Sequence, residues 1–232
     1  MYFFLEYILL RMYFTKGCMN MVSIDYINDY IRKTIKKNEG ILARLEDYAE
    51  ENHVPIVQPE VAALLKVITL ILKPKRVLEV GTAIGYSSIL ISSVLPKGAK
   101  IDTIDRYEIM IERAKDNIKK AGLEDTINII YGDATEVLKI LDKKYDMIFL
   151  DAAKGQYPEF LPQCIRLLNS GGVLISDNIL YKGMIANDEL VVRRKKTIVT
   201  RLRTFLDDIC NNDLLETSII PIGDGVALSY KK

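Results

Sequence analysis

Between residues 76 and 176 the chain alternates five short apolar runs with four amphipathic ones, and this rhythm constrains the fold more than any other feature. The apolar runs at 76–80, 100–104, 127–131, 145–150 and 172–176 read as strands, and the stretches 86–95, 107–121, 134–141 and 158–168 carry helical spacing. Strand–helix alternation of this kind predicts a parallel sheet covered by helices on both faces. The rhythm then breaks. Residues 188–211 read as one long basic helix, and 216–220 and 226–230 as two strands joined through Pro221-Ile222-Gly223-Asp224-Gly225, a hairpin signal. The expectation is an α/β fold whose mostly parallel seven-stranded sheet ends in an antiparallel pair.

Upstream, Ile24, Ile27, Ile31 and Ile35 recur at helical spacing, and 41–50 form a second amphipathic helix after Gly40. Val54-Pro55-Ile56-Val57 is an extended link, and Pro59 suits the first turn of a helix running to about Leu72. A single domain is expected over residues 23–232. Residues 1–22 are an upstream extension or a short docking helix. Their apolar start is too short and too interrupted by charge to cross a membrane, and it lacks a signal peptide's basic leader and cleavage site. The three cysteines, Cys18, Cys164 and Cys210, form neither a metal spacing nor a disulfide framework, which fits the cytoplasm. The lone histidine, His53, leaves no base for a Ser-His-Asp hydrolase. A net charge of +1 gives no global field toward nucleic acid or membrane, so any polyanion site must come from local clustering.

In an open α/β sheet, ligands bind beyond the carboxyl ends of the strands. Asp151-Ala152-Ala153-Lys154 follows the fourth strand and Asp177-Asn178 the fifth. Two carboxylates, an amide oxygen and an amine thus converge on one rim. Hard oxygen ligands suit Mg²⁺ or Ca²⁺ and not zinc, and a lysine beside such an ion suits a base. The first strand leads into a glycine turn, Gly81 to Gly85, and a helix start where Ser87 can donate. Asp105 ends the second strand and can accept both hydroxyls of a ribose. Asp133, after Gly132, can accept from an adenine amino group or cap the helix that begins at Ala134. Together these strand ends outline an adenosine pocket with no phosphate requirement. Each residue has a structural alternative: Asp151 as a cap, Asp177-Asn178 as an Asx-turn, Lys154 as a surface charge.

Four motifs carry a resemblance. Leu-Glu-Val-Gly-Thr-Ala-Ile-Gly-Tyr-Ser (78–87), Asp-Ala-Ala-Lys (151–154), Gly-Gly-Val-Leu-Ile-Ser-Asp-Asn (171–178) and Pro-Ile-Gly-Asp-Gly (221–225) resemble the cation-dependent O-methyltransferases, which include catechol and caffeoyl-CoA O-methyltransferases. The resemblance runs from about residue 41 to the C-terminus. It implies a Rossmann-like class I methyltransferase fold and S-adenosylmethionine as cofactor. By resemblance, Glu79, Gly81 and Ser87 line the methionine end with Val57 near it, and Asp105 takes the ribose where many relatives have Glu. Gly132, Asp133 and Ala134 then flank the adenine. Asp151, Asp177 and Asn178 would hold Mg²⁺, with Asp151 also bordering the cofactor and Lys154 acting as general base. Relatives are commonly homodimers.

The substrate is the thinner part of the reading. Segments 151–157, 177–183 and 53–56 resemble the bacterial tRNA 5-hydroxyuridine methyltransferases, which act on the wobble uridine in the anticodon loop. A 5-hydroxyuracil offers an acidic hydroxyl beside a carbonyl, so it can chelate Mg²⁺ as a catechol does. The basic residues Arg193, Arg194, Lys195, Lys196, Arg201 and Arg203, with Lys182, are candidates for RNA phosphates, the alternative being a solvated helix face. The rival enzyme is a small-molecule O-methyltransferase for catechols or related phenols. The catechol enzymes' substrate-contacting acid has no clear match before Asp224, where the chain reads Thr217-Ser218. An RNA-binding protein without catalysis is a third possibility, opposed by the intact Asp151, Lys154, Asp177 and Asn178 set.

Overall fold

A computed structural model describes residues 25–232. The extension expected over residues 1–22, Cys18 included, lies outside the described residues. Three helices come first: α1 (Asp25–Thr34), α2 (Ile41–Asn52) and α3 (Pro59–Leu72). Pro59 opens α3, where its missing N–H costs nothing. The alternating part follows as β1 (Arg76–Val80), α4 (Tyr86–Ser92), β2 (Lys100–Asp105), α5 (Glu108–Lys120), β3 (Ile127–Tyr131), α6 (Ala134–Ile140), β4 (Tyr145–Leu150), α7 (Tyr157–Leu167) and β5 (Leu168–Ser176). Helix α8 (Lys196–Cys210) and the hairpin β6 (Leu215–Ile220) and β7 (Val226–Lys231) complete the chain.

The seven strands form one sheet in the order β3-β2-β1-β4-β5-β7-β6. Strands β1 to β5 pair in parallel, and β7 enters antiparallel between β5 and β6. Successive residues of the central strands point to opposite faces, and both faces are buried. Val77, Met147, Phe149 and Ile175 join Leu45, Leu65, Ile89 and Ile118 on the side of α2 to α5. Leu78, Ile148, Leu150 and Leu174 join Leu138, Phe160, Leu202 and Phe205 on the side of α6 to α8. Strand order reverses between β1 and β4, and in such sheets the crevice beyond the carboxyl ends at the reversal is the place for a ligand. Among the described residues no helix is long and apolar enough to cross a membrane.

The long basic helix expected over 188–211 is a correction. Its first part is two 3₁₀ turns, Asp188–Leu190 and Arg193–Lys195, and only Lys196–Cys210 is α-helical. Asn187 accepts the Glu189 N–H and starts a tight turn, and Val191 and Val192 are extended. Arg203 then binds the carbonyls of Met184 and Ile185 and the Asp188 carboxylate, which fastens the segment as a loop.

Candidate active site

A cavity of about 580 Å³ opens at the switch point between β1 and β4. Its lining includes Val57, Gly81, Ser87, Asp105, Gly132, Asp133, Ala134, Asp151, Lys154 and Asn178. Glu79 and Asp177 lie buried behind that surface, at 0% and 1% exposure.

The glycine turn after β1 runs against the end of β4. Gly81 has φ of 110°, and a Cβ built on it would land on the Asp151 carbonyl oxygen, so only glycine fits. Beneath the turn, Glu79 Oε2 accepts from the Ser88 hydroxyl and, at 2.5 Å, from the Thr103 hydroxyl, whose oxygen also lies 2.7 Å from Thr82 Oγ1. Glu79 Oε1 is buried and has no partner among the described residues. Burial pushes the Glu79 carboxyl up to about 7 against the pull of the surrounding hydroxyls. A buried acceptor without a donor fits a ligand bearing an ammonium group.

Asp105 is held by the loops around it. Its Oδ2 accepts from the Ala83 N–H (2.9 Å), and its Oδ1 from the Arg106 (2.7 Å) and Tyr107 (3.0 Å) N–H groups. This fixes the carboxylate at the cavity wall, where a ribose would meet it. Asp133 caps α6 through the Thr135 N–H (2.9 Å) and pairs with Arg106 Nη1 (2.8 Å). The Thr135 amide, then Arg106, holds its carboxyl below the ordinary range. The capping alternative is therefore realised, and both oxygens of Asp133 are engaged. The cavity's two lining cations, Arg106 and Lys154, are each paired with a carboxylate. That suits a nucleoside without phosphate.

At the other end, β4 and β5 pair Leu150 with Ser176, so the residues that follow, Asp151 and Asp177, emerge side by side. Lys154 Nζ donates to Asp151 Oδ1 at 2.6 Å. Asp177 Oδ1 accepts the Asn178 N–H at 2.7 Å, and Asn178 adopts a left-handed backbone (φ 55°) that Asn tolerates well. Burial first, and the Asp151 charge second, push the Asp177 carboxyl well above its ordinary range. Two crowded carboxylates and an amide oxygen suit a hard divalent cation, which would supply the compensating charge. Among the described residues no three His, Cys, Asp or Glu side chains form a metal cluster; next to Asp177, Asn178 carries an amide oxygen of the kind that could serve as a further donor.

In sequence Tyr157 is only the last residue of the 151–157 segment, with no role attached to it. It is fully buried, its hydroxyl lies 3.0 Å from the Leu150 carbonyl and 3.1 Å from the Asp177 carbonyl, and its ring meets Phe205 edge-on at 5.2 Å. It ties together the two strand ends that carry the acids. Ser88 and Thr103, which hold Glu79, were missed as well. Nothing marks such hydroxyls in sequence, because their partners come from other strands.

The basic candidates separate in space. Lys182, Arg193, Arg194 and Lys196 are exposed, and Lys195 Nζ stands 5.7 Å over the Tyr181 ring. Arg201 pairs with Glu159 on the surface. Arg203 is likewise occupied with the 184–188 loop. The first turn of α8 packs by the lysine turn, with Ile198 beside Gly155.

The sequence model of a family described as O-methyltransferase matches residues 33–232. The caffeoyl-CoA O-methyltransferase of Populus kitakamiensis is 34% identical over 172 residues, covering 71% of this chain and 73% of the relative. The catechol O-methyltransferase of Niastella koreensis is 29% identical over 225 residues, 92% of this chain and 100% of the relative. A solved structure from Staphylococcus aureus, a candidate caffeoyl-CoA O-methyltransferase, matches with a TM-score of 0.80 and 34% identity over 90% of this chain and 98% of that one.

Proposed function

The chain belongs to the O-methyltransferase family, and we propose that it transfers the methyl group of S-adenosylmethionine to a substrate hydroxyl at the Asp151–Asp177–Asn178 end of the crevice. One arrangement supports this most. The nucleoside half and the oxygen-ligand half of the cavity meet where Gly81 packs on the Asp151 backbone, so methyl donor and acceptor share one chamber.

Asp105 would take the ribose, with Glu79, Gly81 and Ser87 at the methionine end and Val57 beside them. Gly132, Asp133 and Ala134 would border the base, with the Asp133 carboxylate held in place by the Thr135 amide and Arg106. Asp151, Asp177 and Asn178 would hold Mg²⁺. When bound, the cofactor supplies an electrophilic sulfonium methyl and the ion a charge that lowers the pKa of a coordinated hydroxyl. Lys154 lies within reach of Asp151; with Asp151 given over to the ion, Lys154 in its neutral amine form would take the hydroxyl proton. The oxygen–methyl bond forms as the methyl–sulfur bond breaks, and a thioether leaves. Val57, Ile104, Met110 and Phe160 give the cavity apolar walls against which donor and acceptor would be positioned, and such positioning would contribute much of the rate.

A substrate that chelates through a hydroxyl and a neighbouring oxygen fits this site. The names of the relatives support a small phenol of the catechol or caffeoyl kind. A second reading has a specific observation in its favour. Arg193, Arg194, Lys195 and Lys196 gather at the N-terminal end of α8, where no acid occupies the first turn. Cations at the positive end of a helix dipole are unfavourable unless an anion offsets them. That favours a phosphate-bearing substrate, and the wobble 5-hydroxyuridine of a tRNA anticodon loop combines phosphates with a hydroxyl beside a carbonyl.

The test is to supply labelled S-adenosylmethionine and Mg²⁺ with either a catechol or tRNA containing 5-hydroxyuridine. Label in catechol alone supports the phenol, and label in tRNA alone supports the RNA. Label in neither overturns the methyltransferase assignment for both substrates. We also take Val67, Leu70 and Ile71, exposed along α3, as a face for pairing two copies of the chain in the cytosol. A monomer in sedimentation equilibrium at micromolar concentration would refute the pairing.

A further inference from the structure

The β6–β7 turn reaches back to the loop that follows Asp177 and Asn178, and one side chain makes the decisive contact. That loop holds four left-handed backbone positions: Asn178 (φ 55°), Tyr181 (47°), Lys182 (57°) and Gly183 (76°). Asn and Gly adopt this conformation readily, whereas Tyr and Lys do so only when their surroundings impose it.

Three hydrogen bonds impose it. The Ile179 N–H donates to the Gly225 carbonyl and the Leu180 N–H to the Asp224 carbonyl, both at 3.0 Å. The Lys182 N–H donates to Asp224 Oδ1 at 2.6 Å. Any residues could supply the two backbone acceptors, but the third bond needs an acceptor side chain at position 224. The turn is also wedged in place. A Cβ on Gly225 would overlap Leu180 Cγ, and one on Gly223 would come within 2.7 Å of Val61 Cγ2, beside Gln58. Asp224 is half-buried, and burial raises its pKa, so its charge is maintained against a cost that the Lys182 amide helps to offset.

We infer that Asp224 is a positioning residue for the metal site: by accepting the Lys182 amide it holds Tyr181 and Lys182 left-handed and so fixes the loop that presents Asn178. The inference rests on the reading of Asp177 and Asn178 as metal ligands. Asp224 is assigned no contact with substrate or ion and acts through the loop.

The experiment uses the full chain, with Mn²⁺ binding followed by electron paramagnetic resonance and amide exchange followed across residues 179–183. Asp224→Ala should weaken Mn²⁺ binding about tenfold and speed exchange of the Lys182 amide at least about tenfold, with S-adenosylmethionine affinity unchanged. Asp224→Asn should keep wild-type exchange of the Lys182 amide, because its amide oxygen accepts the same hydrogen bond, while the loss of a charge that acts on Asp177 is read separately in Mn²⁺ affinity. In a Lys182→Gly background, glycine holds the left-handed position without strain, so adding Asp224→Ala should cost much less Mn²⁺ affinity. Unchanged Lys182 exchange in Asp224→Ala overturns the clamp. So does a Lys182 amide that exchanges about tenfold faster in Asp224→Asn, a result that stands even if the alanine variant fails to fold. A wild type that binds no Mn²⁺ overturns the metal reading itself, which the exchange data separate from failure of the clamp.

Discussion

The backbone of Asp151 occupies the space that a side chain on Gly81 would need. The turn after β1 and the end of β4, which line the same cavity, are therefore in direct contact across the point where strand order reverses. Gly81→Ala should disturb both halves: the new methyl pushes on the Asp151 carbonyl, and φ of 110° is strained for alanine. S-adenosylmethionine and Mn²⁺ affinities should fall together in calorimetry. Loss of cofactor affinity alone would show that the contact transmits nothing.

The metal reading predicts that Asp177→Ala lowers turnover by more than about a hundredfold, and that EDTA inactivates the wild type until Mg²⁺ is restored. Full activity in excess EDTA would remove the ion from the reaction.

Tyr157 should act on the strand ends and not on the cofactor. Tyr157→Phe takes the hydroxyl from between the Leu150 and Asp177 carbonyls. The expected loss is about 1–3 kcal/mol in urea unfolding, with lower turnover and unchanged S-adenosylmethionine affinity. A variant as stable as wild type would mean that the two carbonyls do not depend on this hydroxyl.

Glu79 gives stability a definite dependence on pH. Its carboxyl titrates at about 7 in the folded chain, against an ordinary value of 4.5. Below 4.5 it is protonated in both states and contributes nothing. Between 4.5 and 7 the folded chain keeps a proton that the unfolded chain has released, so stability falls as pH rises and levels off above 7. Glu79→Gln should lack this decline, and its Tm advantage over wild type should widen across that window. Parallel Tm profiles for the two proteins would contradict the shift.

Arg193 and Arg194 separate the two substrate readings. Replacing both with Ala should weaken tRNA binding and flatten the dependence of log K on log salt by about 1.4, two phosphate contacts at about 0.7 each. Catechol methylation should be untouched. Arg201→Ala should leave the salt dependence unchanged, because its guanidinium is paired with Glu159.

Much of this was legible because the strands are. Ile127–Tyr131 and Tyr145–Leu150 match the sequence reading residue for residue, since each is a mostly apolar run, broken only by Asn128 or Asp146 near its start, and is bounded by polar or glycine positions. Once strands are located, their carboxyl ends follow, and Asp105, Asp133, Asp151 and Asp177 with them. What stayed hidden depends on distant partners. The basic run at 193–196 has helical composition, yet the Asn187 turn and Val191-Val192 keep its beginning out of the helix. Asp133 offered two roles in sequence, and Arg106, brought in from the end of β2, takes up the oxygen that the cap leaves.

The left-handed loop after β5 is braced by a turn that the ribosome makes much later, and β7 must slide between β5 and β6 to bring that turn home. A nascent chain made as far as Asn178, just beyond β5, already owns every proposed metal ligand. Without the hairpin it lacks the brace that would hold them in register. Catalytic competence should therefore arrive late and all at once, with closure of the final strand, so that an unfinished chain has no means of consuming cofactor on the wrong hydroxyl.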